Sequence, residues 1–210
     1  MPVGTNRAAP GSSAAATSRE HLLAGADVLR AAAEACGESV AEAAAVIADA
    51  LRASGKLLLC GNGGSAADCQ HMAAELVSCL TQDYVRPGLA AVALTTDTSC
   101  LTAYANDFGF DGIFARQVQA LGRPGDVLLG ISTSGSSRNV RLALEEGRRG
   151  GLRTIALTGE DGGPCAEDAD VVISVPDRST QHVQEAHLAI EHVLCHLIER
   201  AVCDQSGSGA

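Results

Sequence analysis

The sequence predicts an α/β protein of doubly wound design: a five-stranded parallel sheet flanked by helices and preceded by N-terminal helices. Three observations carry this reading. Five short runs rich in Val, Leu and Ile recur without polar alternation, as strands buried on both faces do. Most intervals between them hold a stretch of helical periodicity. A glycine-rich turn, Gly61-Asn62-Gly63-Gly64-Ser65, joins the first run to a helical segment. Alternating strands and helices imply right-handed crossovers, and ligands in such sheets bind beyond the carboxyl ends of the strands.

The elements follow in chain order. Residues 1–18 are mostly Ala, Ser, Gly, Thr and Pro and read as a disordered arm. Residues 20–53 read as two helices. Leu22, Leu23, Ala26 and Leu29 recur at helical spacing, as do Val40, Ala44, Ile47 and Leu51, with a break near Cys36-Gly37 and a stop at Gly55. The strands are predicted at 57–60, 90–94, 127–131, 154–157 and 171–175. Helices are predicted at 65–80, 98–106, 113–121, 139–149, 165–168 and 180–202. Residues 204–210 read as a frayed tail, which leaves one domain over 19–203.

At 210 residues the chain is large enough for a real core. With 46% hydrophobic but only 2% aromatic residues, that core is built from Ala, Val, Leu and Ile. A net charge of −10 argues against nonspecific binding to nucleic acid or to an anionic membrane. An anionic substrate must therefore be caught by local dipoles. The eight cysteines stand singly, with no CxxC pair and several inside apolar runs, which points to the reducing cytoplasm. No apolar run approaches the ~20 residues that span a bilayer, and the N-terminus lacks the apolar core of a signal peptide.

Three regions carry chemistry. The Gly61–Ser65 turn opens a helix whose first N–H groups and positive dipole end suit a phosphate; a plain tight turn has the same pattern. After the third strand comes Ser132-Thr133-Ser134-Gly135-Ser136-Ser137, which gathers hydroxyl and backbone donors. A capping cluster reads alike. Together the two loops describe a cradle of neutral donors, with Arg138 placed to add charge. The third region is a pair of helix faces. His71 and Glu75 are four apart, and Gln184 and His192 are eight apart. These four groups suit proton transfer or a divalent metal such as zinc. Solvated surface pairs fit the same spacing, and His187 and His196 rival His192 on position alone.

Gly61-Asn62-Gly63-Gly64-Ser65-Ala66-Ala67-Asp68, followed by His71 and Glu75, resembles the signature of the phosphoheptose (sedoheptulose 7-phosphate) isomerases. Arg86-Pro87-Gly88, Asn106-Asp107-Phe108-Gly109, Gly130-Ile131-Ser132-Thr133-Ser134-Gly135 and Gln184-Glu185-Ala186-His187 resemble that family in order and spacing. The family belongs to the sugar isomerase (SIS) group, which binds phosphosugars on a three-layer αβα sandwich. The resemblance implies substrate contacts from Asn62, Gly63, Gly64, Ser65, Asn106 and Asp107, and a phosphate loop of Ser132, Thr133, Ser134 and Ser137. It implies Glu75 and His192 as catalytic residues and a zinc site at His71, Glu75, Gln184 and His192. Glu75 and Gln184 would also touch substrate. It further implies a homotetramer with active sites between subunits.

The implied activity is conversion of sedoheptulose 7-phosphate to a D-glycero-heptose 7-phosphate through an enediol, for nucleotide-activated heptose. The family product has the manno configuration, and the altro configuration is the alternative. Isomerisation of another phosphosugar and phosphosugar sensing without catalysis stay open as rival functions. Two departures stand out: Cys79 where family members carry Arg, and Gln181 where some carry Asp.

Overall fold

The computed structural model describes residues 13–204. The first twelve residues of the expected arm and residues 205–210 of the expected tail lie outside the described residues. Helix α1 (Ala14–Arg52) leads into β1 (Leu57–Gly61) and α2 (Gly64–Val77). Then come β2 (Ala91–Ala93), α3 (Thr98–Phe108), a short 3-10 turn (Phe110–Gly112) and α4 (Ile113–Leu121). The chain closes with β3 (Val127–Ser132), α5 (Arg138–Arg149), β4 (Arg153–Thr158), α6 (Gly163–Glu167), β5 (Val171–Ser174) and α7 (Thr180–Cys203).

All five strands are parallel, in the order β2-β1-β3-β4-β5. Alternate strand residues feed two cores. Leu57, Leu59, Leu129, Ile131 and Ile155 pack toward α1, α2 and α7. Leu58, Cys60, Leu128 and Ala156 pack toward α4 and α5. This double burial explains why the strands read as unbroken apolar runs. The strand order reverses between β1 and β3, so the crevice expected to hold a ligand opens beyond Gly61 and Ser132.

The N-terminal segment corrects the sequence reading. The two expected helices are one helix, α1, of 39 residues. Its buried stripe, Val28, Ala32, Cys36, Val40, Ala43 and Ile47, passes straight through the expected break. A glycine inside a helix costs only ~1 kcal/mol, and packing of the stripe overrides it. Cys36 also donates through Sγ to the Ser174 carbonyl, 3.3 Å away, which ties the mid-point of α1 to β5. The helix begins within the expected arm, so residues 14–18 are helical, with the Ser13 hydroxyl accepting from the Ala16 N–H as N-cap. At the other end the left-handed turn residue is Ser54 (φ 65°), one position before the glycine expected to stop the helix.

Candidate active site

The two loops meet because β1 and β3 are neighbours. Asn62, just after β1, and Asn139, in the first turn of α5, exchange reciprocal amide hydrogen bonds of 2.8 Å. Asn139 is buried, so this pair locks the glycine loop to the serine loop. Within the serine loop Ser132 donates to Ser137 at 3.0 Å, and the Ser134 and Ser136 hydroxyls lie 2.8 Å apart. Gly135 makes the loop feasible. Its φ is +62°, and a Cβ there would lie 2.1 Å from the Gly162 carbonyl oxygen. Arg138 pairs with Asp111 at 3.0 Å, both exposed.

Helix α2 runs from the glycine loop, and α7 packs against it. Asp68, His71 and Glu75 stand at i, i+3 and i+7 of α2, one face of the helix. His71 Nε2 lies 2.9 Å from His192 Nε2, with the rings edge to face. Glu75 Oε1 is 3.8 Å from His71 Nε2, and Glu75 Oε2 is buried without a hydrogen-bond partner. The Gln184 amide nitrogen donates to both carboxylate oxygens of Asp68 at 3.2 Å. That contact leaves the Gln184 carbonyl oxygen as the free end of the side chain. Gly64 presses against this amide: a Cβ at position 64 would lie 2.5 Å from Gln184 Nε2.

The electrostatics follow from burial. Burial raises the Asp68 carboxyl above its ordinary range, opposed by the Gln184 hydrogen bond and by His71. Glu191, on α7 beside His192, is buried with neither oxygen partnered. Burial, then the charge of Asp68, pushes its carboxyl up to about 8.

The other sequence candidates separate. His187 is fully buried and bonded through Nε2 to the Thr158 carbonyl, a core role. His196 is exposed on α7. Asn106 and Asp107 lie exposed on α3, with the Asn106 amide donating to Asp107 at 2.8 Å.

Asp68, Asn139 and Glu191 were missed by sequence reasoning. The signal for Asp68 was its place three residues before His71; the other two carry none a linear pattern shows. Also missed were His21, His182 and Glu185, whose ligand atoms all lie within 4.8 Å of one another.

The fold and the paired loops define the class. Residues 21–159 match the SIS domain family. The phosphoheptose isomerase of Akkermansia muciniphila is 48% identical over 184 residues, covering 88% of this chain and 96% of that one. That of Rhodospirillum rubrum is 53% identical over 168 residues, covering 80% and 88%. The structure of phosphoheptose isomerase GmhA from Neisseria gonorrhoeae superposes with a TM-score of 0.84 at 44% identity, covering 89% of this chain and 99% of that one. The chain belongs to the phosphoheptose isomerase family.

Proposed function

We propose that this chain interconverts sedoheptulose 7-phosphate and a D-glycero-heptose 7-phosphate, with Glu75 and His192 sharing the proton transfers. One observation carries the assignment: the free, buried oxygen of Glu75 and the imidazole pair His71–His192 stand on two packed helices, one of which runs from the glycine loop.

The two loops bind the phosphate. Ser132, Thr133, Ser134 and Ser137, with the backbone of Asn62, Gly63, Gly64 and Ser65, offer neutral donors that select oxygens by geometry. Asn106 and Asp107, exposed on α3, are the proposed contacts to the sugar hydroxyls. Binding energy at the phosphate end orients the reacting carbons. One group then takes the proton from C1 while the C2 carbonyl oxygen is protonated, giving the enediol. The C1 hydroxyl next loses its proton and C2 gains one, giving the aldose. Glu75 and His192 are the acid–base groups for these transfers.

The donor set suits zinc: two imidazole nitrogens, a carboxylate oxygen without a partner, and the Gln184 carbonyl oxygen. His71, Glu75, Gln184 and His192 would hold the ion, which when bound polarises the carbonyl and steadies the two oxygens. The test is Glu75→Gln and His192→Gln made separately, with solvent exchange of the C1 proton followed by NMR. Each should lose about 10²- to 10⁴-fold in rate. Wild-type turnover in both variants overturns the assignment. Zinc analysis of the same variants gives a readout apart from activity.

The reading extends to a homotetramer with sites between subunits. Its support is the apolar groove between α1 and α7, lined by Leu29, Val40, Ile190, Val193 and Leu197, with Leu22 and Leu23 exposed on the same helix. Light scattering of the purified chain reports the assembly directly. We place the enzyme in the reducing cytoplasm, consistent with eight free cysteines. No helix among the described residues is long and apolar enough to cross a membrane.

A further inference from the structure

Away from the α2–α7 site, the N-terminal part of α1 crosses the first turns of α7 and brings a second set of ligating side chains together. His182 Nδ1 lies 3.0 Å from Glu185 Oε2 on α7. His21 Nε2, from α1, lies 3.5 Å from Glu185 Oε1. The two imidazole rings are 4.4 Å apart, tilted by 43°. The three ligand atoms all fall within 4.8 Å of one another. Ligands held at ~2.0–2.2 Å around a tetrahedral zinc ion stand about 3.3 Å apart, so an ion could enter with small side-chain adjustments.

The backbone makes room for this cluster. Gly25, buried in the interior of α1, faces it: a Cβ at that position would lie 2.6 Å from Glu185 Oε2 and 3.3 Å from His182 Nδ1. A mid-helix glycine costs ~1 kcal/mol against alanine, and here it clears space under a carboxylate and an imidazole. His182 is buried, while His21 and Glu185 are about half exposed. One side of the cluster is therefore walled and the other reaches water.

We infer that His21, His182 and Glu185 form a second site for a divalent transition-metal ion, with zinc the best match, separate from the His71–His192 site and clipping α1 to α7. Two imidazoles and one carboxylate suit zinc or cobalt and leave an open position for water. Glu185 adjoins Gln184 in the chain, but the two side chains diverge: Gln184 turns to Asp68 on α2, and Glu185 turns to His21 on α1. An ion here would hold the start of the helix that carries Gln184 and His192. The site binds an ion independently of whether the proposed isomerisation is correct.

The test is metal counting on the full chain, stripped by chelator and reloaded with Co²⁺, followed by visible absorption and elemental analysis. Wild type should take up two equivalents per chain, His21→Ala one, and His71→Ala/His192→Ala one. The combined triple variant should take up none. Added zinc should raise the melting temperature of His71→Ala/His192→Ala, and His21→Ala in that background should abolish the rise. His21 is half exposed, so its removal is expected to leave the fold intact, which circular dichroism checks. If the double variant folds but binds no metal, or if His21→Ala leaves wild-type uptake at its original value, the site does not exist. If the double variant fails to fold, the comparison of wild type with His21→Ala decides alone.

Discussion

Gly64 shows how a single residue couples the two halves of the proposed active site. It is the first residue of α2 and part of the glycine loop, yet the space a side chain would fill there is taken by the Gln184 amide of α7. Its backbone lies outside the left-handed region, so alanine is tolerated locally. The clash would fall on the end of a flexible side chain, 2.5 Å from the new Cβ. Gly64→Ala should therefore displace Gln184 from Asp68 while leaving stability nearly unchanged. We expect kcat/KM to fall by about 10- to 100-fold, since small misplacements of positioning groups carry such penalties. Steady-state kinetics beside a thermal melt check this: a large drop in melting temperature would point to a backbone role instead.

At the scale of elements, the end of α2 matters because Glu75 lies in its last turn. Helix ends leave carbonyls without partners. Here Arg86 supplies them, donating through its two terminal nitrogens to the Glu75 and Leu76 carbonyls at 2.8 Å. Its Nε donates to Glu199 of α7 at 3.0 Å, and both side chains are 1% exposed. One guanidinium thus closes α2, anchors α7 and fixes the turn that presents the proposed catalytic carboxylate. Removing one partner of a buried pair strands the other charge, at a cost of about 3–5 kcal/mol. Arg86→Leu should lose stability of that order in urea titrations. Arg86→Lys keeps the charge but not the planar fork, and should lose activity beyond what its stability loss explains.

Across the whole molecule, α7 is held to the sheet by His187, whose Nε2 bonds the Thr158 carbonyl of β4. Burial lowers its pKa to about 4, opposed by that hydrogen bond. Between pH 6.5 and about 4 the unfolded chain binds a proton that the folded chain refuses, so this group's contribution is fully present above pH 6.5 and is lost as pH falls. The loss amounts to about 2 kcal/mol by pH 5 and about 3 kcal/mol below pH 4. Buried Glu191, with its raised carboxyl, acts in the opposite sense over this range, so wild type is compared with His187→Gln. In urea titrations the change in unfolding free energy from pH 7 to pH 5 should differ by about 2 kcal/mol between the two proteins, with wild type the more acid-sensitive. Equal pH dependence in both proteins would assign the acid sensitivity to other groups.

Much of this architecture is written in local pattern. Five apolar runs became five parallel strands because burial on both faces needs no partner-specific code. The glycine and serine loops were legible because turn and capping chemistry acts over a few residues, and His71 with Glu75 because four residues make about one helical turn. The break expected at Gly37 failed because a buried stripe outweighs the propensity of one glycine. What tertiary structure alone decided are pairings between distant residues: Asn62 with Asn139, Gln184 with Asp68, His71 with His192, and His21 with Glu185. It also decided that His187 faces the sheet and His192 faces α2. A linear pattern records which residues share a helix face, but the rotation of one helix against another is set by packing across the core.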